Sequence, residues 1–344
     1  MHIETDEEIN EADFANVDTV AVTAGASTPN WQIRQVIEKL KHIDMANRGG
    51  WAATIRSLAD ISVMIYGWAA LAGAGLTIAC QTLMSAPLAW KPAAVSALFV
   101  FSMHLLNRIQ ERAGAVRFNT PEIASFYVRH DSILKCLGAA SSLCAVALSF
   151  TISTLSGTLL TLMTITGLLY SMPVLGFFNI SIGRWRALKD LTGSKTPLVA
   201  TGWAMAATVV PILDLSFFPG LWTLSITFIF AFGLVFWRTA LSDLLDIQGD
   251  RIVGRETIPI LLGPVKTKKL LYYILSFLTF MMIGSGLLHW TTEVAFFLLI
   301  NIAVYYGLLN MLFKRHLVDR LLLEAFTDAN FLLAGFISVG YVLC

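Results

Sequence analysis

Between residues 57 and 342 the chain alternates long apolar stretches with short polar breaks. A helix needs about 20 apolar residues to cross the ~30 Å hydrocarbon layer of a bilayer. Nine stretches fit, over 57–79, 91–107, 133–152, 155–173, 197–214, 221–241, 270–289, 293–313 and 321–342. The pattern predicts an all-α polytopic membrane protein, with nine transmembrane helices bundled around a central cavity. Ahead of them, "WQIRQVIEKLKHIDM" places Ile33, Val36, Ile37, Leu40 and Ile43 on one helical face and Arg34, Glu38, Lys41 and His42 elsewhere. That arrangement predicts an interfacial helix before the first span.

Composition agrees: 56% hydrophobic and 14% charged residues, with a mean hydropathy of +0.69, are too apolar to cover a water-soluble surface. The distribution of basic residues then sets the orientation. With the first segment inside, Lys91 is the exception among 24 Lys and Arg residues, the rest lying in cytoplasmic segments or at helix ends facing them. The N-terminus is expected in the cytoplasm. The net charge of +1 hides a segregation, because the first 20 residues hold seven acids and no Lys or Arg. Residues 1–30 are therefore expected to form a disordered acidic cytosolic tail, and 31–344 the nine-helix domain. The tail has neither the basic start nor the apolar middle of a signal peptide. The four cysteines, Cys80, Cys136, Cys144 and Cys344, lack metal spacing and are expected to fill the core.

Three long cytoplasmic connections, after helices two, four and six, concentrate the polar chemistry. The third, "DLLDIQGDRIVGRETIPILLG" over 243–263, carries Asp243, Asp246 and Asp250 on one helical face. A solvated helix end stopped by Gly249 and Gly254 is the plain reading. Against it stand the cations of the same and neighbouring loops: Arg108, Arg112 and Arg117 in the first, Arg184, Arg186, Lys189 and Lys195 in the second, and Arg251 in the third. Carboxylates beside such cations suit a magnesium diphosphate, since Mg²⁺ is held by one or two carboxylates together with phosphate and water. In the first loop His104, Asn107 and Glu111 project from one side of the helix end, where the Asn107 amide oxygen is a further candidate ligand.

The run from Asp243 to Gly263 closely resembles the second aspartate-rich motif of the UbiA superfamily of intramembrane prenyltransferases. Asn107 after helix two and "RALKDLTGSKTPLVATGWA" after helix four extend the resemblance over residues 45–344. It implies an enzyme that moves an isoprenyl group from a prenyl diphosphate to an aromatic or lipid acceptor, with Mg²⁺ as cofactor. It further implies Asp243, Asp246 and Asp250 as catalytic, metal-holding residues, Asn107 and Glu111 as further metal ligands, and Asn107, Arg112, Arg186, Lys189, Arg251 and Tyr170 as substrate-binding residues. The family's first motif closes with an acid where Ala115 stands, and Val174 stands where a lysine often follows Tyr170. A bacterial inner membrane is the expected location. Prenyl diphosphate, acceptor and membrane lipids are the expected partners, and no nucleic acid. Two alternatives stay open: a terpene cyclase of the same fold, and a non-catalytic diphosphate- or lipid-binding protein or carrier. Trp68, Phe101, Trp237 and Phe331 are the type of residue an aromatic cavity wall needs, but ordinary packing or lipid contact is the expected role of each. Asp60, Glu324 and Asp328 are ionisable groups at membrane depth, where a functional role is the default expectation.

Overall fold

The computed structural model describes residues 1–14, 17, 19–25, 28, 32–33, 35–37, 39–40, 43, 51–111, 121–171, 192–213, 218–314 and 320–344, with backbone only for 51–57, 111, 121–122, 171 and 313–314. Among these residues every regular element is helical. The principal helices are α1 (Trp51–Met64), α2 (Gly67–Leu83), α3 (Trp90–Glu111), α4 (Pro121–Arg129), α5 (Asp131–Phe150), α6 (Thr154–Ser171) and α7 (Lys195–Ala204). They continue with α8 (Leu221–Leu245), α9 (Ile247–Val253), α10 (Ile258–Leu262), α11 (Pro264–Leu287), α12 (Val294–Phe297), α13 (Leu299–Lys314) and α14 (Arg320–Leu343). Within the described residues each of the nine apolar stretches is mostly helical, with breaks at residues 65–66 in the first and 298 in the eighth. Among the described residues six helices are long and apolar enough to cross a bilayer, or seven spans if α1 and α2 count as one broken span, and the chain is an integral membrane protein. The shortfall from nine has visible causes: α6 is short, and α7 runs into a π turn, Met205–Val209, before Val210–Ile212 resume as α-helix. In the segment before the spans, the described residues from 32 to 43 are helical and Ile43 is buried. In the acidic segment, Asp6–Glu8 and Glu11–Phe14 form 3-10 turns.

The first span is not straight. Between α1 and α2 the axis turns by 69°, and Tyr66 sits at the corner with φ of 63°, a left-handed conformation that strains a bulky residue. The break frees the Met64 carbonyl, which receives the Tyr127 hydroxyl of α4 at 2.8 Å. Around this corner Leu105, Ile109, Ile123, Tyr127 and Leu134 form a small apolar cluster of their own.

The π turn has a similar local logic, because a wider turn leaves carbonyl groups without helical partners. Ser96 of α3 donates to the Ala206 carbonyl at 3.0 Å, and Ser156 of α6 donates to the Val210 carbonyl at 3.1 Å. At the crossing of α2 and α14, Gly75 and Gly335 bring the backbones together: a Cβ on Gly75 would lie 2.5 Å from the Phe331 carbonyl oxygen. Small residues at such crossings are how membrane helices gain packing without a hydrophobic driving force. Farther along α14, Asn330 and Asn301 of α13 exchange amide hydrogen bonds with each other's backbone at 3.0 and 2.6 Å.

One expectation needs correction. Only Cys80 is buried; Cys136, Cys144 and Cys344 are exposed, the first two on α5. Lys91, the outlier of the charge pattern, reaches the Thr151 carbonyl behind the end of α5 at 3.4 Å, which gives it a local partner.

Candidate active site

One end of α3, α6 and α8 and the beginnings of α7 and α14 surround a cavity of about 540 Å³. These are the ends that the charge pattern assigns to the cytoplasm. Its deeper wall is apolar, with Phe99, Val100, Met103, Leu162, Met163 and Trp203, and polar groups gather toward the loops.

Asp243 lies in the last turn of α8 and is fully buried. Its two oxygens accept from Lys195 Nζ at 2.8 Å and Thr196 Oγ1 at 2.7 Å, both from the start of α7. Asp246 ends α8 and accepts a two-pronged pair of hydrogen bonds from Arg320, the one to Nη2 at 2.8 Å. Arg320 opens α14 and also holds Glu324 through Nε at 2.9 Å. The loop that presents Lys195 is tied to the loop behind the aspartates: Gly193, at φ of 67°, donates its N–H to the Glu256 carbonyl at 2.7 Å, and Thr192 bonds the Glu256 carboxylate. Tyr170 and Ser194 hydroxyls meet at 3.2 Å. Acids and bases from three helices, α7, α8 and α14, thus pair at this cavity, which Asn107 of α3 and Tyr170 of α6 also line.

Of the residues expected from sequence, Asp243, Asp246, Asn107 and Tyr170 line this cavity. Asp250 is buried in α9, and Arg251 is exposed on the same helix; neither lines it. The Glu111 side chain and Arg112, Arg186 and Lys189 lie outside the described residues. Sequence reasoning did not single out Arg320. The signal available was a basic residue opening the last span, four residues before an acid.

The aromatic wall of the cavity is built from other residues, and the four aromatics named from sequence serve in packing. Trp68, Phe101, Trp237 and Phe331 do not line the cavity; Tyr66, Phe99 and Trp203 do. Trp237 stacks on Tyr305 with ring centroids 4.1 Å apart, Phe331 packs behind Trp203, and Trp68 donates to Ser62 Oγ at 2.9 Å. Asp328 is not a cavity residue either. It is buried behind the wall, where Arg238 of α8 grips both its oxygens, Nη2 at 2.9 Å. A buried carboxylate at this depth requires such a partner.

The donor set suits a magnesium diphosphate. Asp243, Asp246 and Asn107 offer only oxygen to a hard cation, and Lys195 and Arg320 stand beside them for phosphate oxygens. Among the described residues no three His, Cys, Asp or Glu side chains converge on a metal position. A metal ion here would be held jointly by protein and phosphate, the usual arrangement for Mg²⁺.

These features define a helical membrane protein with an acid- and base-lined cavity at one end of its bundle. Its fold is that of the UbiA superfamily. A UbiA homologue from Aeropyrum pernix K1 superimposes with a TM-score of 0.58 over 80% of this chain and 96% of its own, at 14% identity. A UbiA homologue from Archaeoglobus fulgidus, solved bound to GPP and Mg²⁺, gives a TM-score of 0.55 over 82% and 99%, at 15% identity. The N-terminal segment has a separate likeness: a family model described as LytB protein matches residues 1–41. Curated relatives are the 4-hydroxy-3-methylbut-2-enyl diphosphate reductases of Geobacter metallireducens, 59% identical over 44 residues, and Geobacter sulfurreducens, 48% identical over 48 residues. The matches take in 13% and 14% of this chain and 16% and 17% of the reductases, so the chain spans about a sixth of those proteins.

Proposed function

We propose that this protein is a Mg²⁺-dependent intramembrane prenyltransferase, which ionises a prenyl diphosphate and delivers the isoprenyl group to an aromatic or lipid acceptor. The observation that carries the reading is the convergence of Asp243, Asp246 and Asn107 with Lys195 and Arg320 at the mouth of an apolar cavity. A surface patch would not need that depth of apolar wall, and a midplane carrier site would place its charges farther from one end. The full reading has nine passes, a cytoplasmic N-terminus and a bacterial inner membrane as its location.

In this mechanism Lys195 and Arg320 exchange carboxylate partners for phosphate oxygens, and Asp243 and Asp246 turn their freed lone pairs toward the metal-bearing diphosphate. Asp250, Glu111, Arg112, Arg186, Lys189 and Arg251 remain candidates for the same duty from α9 and the loops, with Tyr170 beside the leaving group. Bound Mg²⁺ would supply a Lewis acid that stabilises charge on the departing diphosphate. The fixed cations do the same from the protein side. The allylic cation left behind faces Phe99, Met103, Met163 and Trp203, whose apolar and π surfaces exclude water and favour positive charge. The likeness of residues 1–41 to reductases named for an allylic diphosphate supports a place for this chain in isoprenoid diphosphate metabolism.

The test is the full chain in lipid nanodiscs with labelled geranylgeranyl diphosphate and Mg²⁺. Release of diphosphate coupled to consumption of an added aromatic or lipid acceptor is the expected result. Release with no acceptor consumed identifies a cyclase, and binding without release a carrier. Full turnover by the Asp246→Ala, Asp250→Ala double variant overturns the site.

A further inference from the structure

The transfer described above leaves one atom without a destination. An acceptor that bonds to the allylic carbon gives up a proton, and a positioned base is needed to take it. Among the described residues three carboxylates line the cavity, Asp243, Asp246 and Glu324. Both oxygens of Asp243 and both of Asp246 accept hydrogen bonds. Glu324 differs. Its Oε1 accepts from Arg320 Nε at 2.9 Å, and among the described residues no group donates to its Oε2. Packing does not seal that oxygen either, so it opens to the cavity that the residue lines. The position suits the reaction. Arg320 opens α14 at the mouth beside Asp246, and Glu324 follows on the same face of the helix, one turn or about 5.4 Å deeper. A diphosphate held by Arg320 with its tail toward the apolar wall has its ester carbon at that depth. Asp328, a further turn in, has both oxygens on Arg238 and does not line the cavity. The ion pair with Arg320 carries Glu324 as a carboxylate and fixes which of its oxygens is left to accept.

We propose that Glu324 is the general base of the transfer, and that the acceptor is a hydroxyl compound whose O–H donates to Glu324 Oε2. The proposal rests on the prenyltransferase reading and gives that reading an acceptor class and a destination for the proton. In the step, the bond between the allylic carbon and the diphosphate oxygen breaks, and its electron pair leaves with the diphosphate. A bond forms between that carbon and the acceptor oxygen, and the hydroxyl proton passes to Oε2. Water at the cavity mouth then takes the proton and restores the carboxylate. An ionised carboxylate only accepts, so a compound without a hydrogen to donate gains nothing from Oε2.

Glu324→Gln separates this role from that of a strut for Arg320. Glutamine keeps a carbonyl oxygen for Arg320 Nε and places an NH₂ donor where the free lone pair stood. The full chain in nanodiscs is given labelled geranylgeranyl diphosphate, Mg²⁺ and 2-naphthol as the acceptor probe. The unaltered protein should form the naphthyl ether. Glu324→Gln should form it about 10²-fold or more slowly, while still releasing diphosphate, with prenyl alcohol as the product, within about tenfold of the unaltered rate. Equal loss of ether and of release, the result a strut would give, overturns the proposal, as does ether formation at the unaltered rate. Binding without diphosphate or metal gives a second readout. Corrected for partition into empty nanodiscs, 2-naphthol should bind the unaltered protein about tenfold more tightly than 2-methoxynaphthalene, which has no hydroxyl hydrogen. Glu324→Gln should abolish that preference. Equal affinities in the unaltered protein overturn the proposal whether or not the variant folds. Absence of diphosphate release from the unaltered protein, with the naphthol preference intact, would remove the prenyl donor and leave the hydroxyl site standing.

Discussion

At the scale of single residues, the proposed mechanism turns on partner exchange. Two of the carboxylates that would face a metal-bearing diphosphate are each held by a cation that would also bind phosphate: Asp243 by Lys195, and Asp246 by Arg320. Lys195→Met and Arg320→Met should each lower diphosphate release by about 10²- to 10³-fold, the usual effect of removing one preorganised charge-stabilising donor. Single-turnover assays with labelled geranylgeranyl diphosphate measure this, and turnover within threefold of the unaltered protein would refute the role. Arg238 behaves differently, because its carboxylate partner is sealed behind the cavity wall. Arg238→Met leaves Asp328 buried and uncompensated and should cost about 3–5 kcal/mol, while the Arg238→Met, Asp328→Leu pair should recover most of that. Unfolding in mixed micelles by denaturant titration compares the two; equal losses would deny the coupling. The aspartates and Asn107 were legible in sequence because spacing puts them near helix ends, and Tyr170 was reached through the family resemblance. The identity of their partners was not, since Asp246 and Arg320 are 74 residues apart and nothing local marks the pairing.

At the scale of elements, three irregularities shape the cavity: the corner at Tyr66, the π turn at Met205–Val209 and the glycine crossing of α2 with α14. The apolar pattern reads through all three, because hydropathy reports burial and is indifferent to whether a helix bends or widens. Cross-helix hydroxyls stabilise the π turn, so Ser96→Ala or Ser156→Ala should each cost about 1–3 kcal/mol by leaving a carbonyl without its donor. A thermal shift of the purified protein would show it, and no loss in either variant would mean that water replaces the serines. Gly75→Val presses its side chain onto the Phe331 carbonyl and should force α14 away from α2. Because α14 also carries Arg320 and Glu324, that variant should lose diphosphate release along with stability, whereas Gly284→Ala, with nothing within 4 Å of its added Cβ, should lose neither.

At the scale of the whole molecule, three helices supply the paired acids and bases and two more line the same cavity, so occupancy of the site should be felt throughout the bundle. Geranyl thiodiphosphate should raise the melting temperature in the presence of Mg²⁺ and much less after chelation with EDTA, since ligand bound to the folded state stabilises it in proportion to its affinity. An equal rise with and without the cation would show that Lys195 and Arg320 bind diphosphate unaided by metal. The N-terminal segment stands apart from this architecture. Acidic composition alone reads it as a tail, while its likeness to a sixth of a reductase lies in residue order, which composition discards.

The sequence by itself determined that the chain lives in a bilayer, which helix ends share a compartment and which carboxylates stand at those ends, because apolar length, basic-residue bias and helical spacing are local quantities summed along the chain. Only the tertiary structure decided that Arg320 serves Asp246, that Arg238 is consumed by Asp328, and that Tyr66, His104 and Trp203 form the aromatic wall in place of Trp68, Phe101, Trp237 and Phe331. Those choices depend on which faces meet when helices cross, and in a membrane every face is apolar enough to be a candidate until close packing and the need to pair each buried charge select among them.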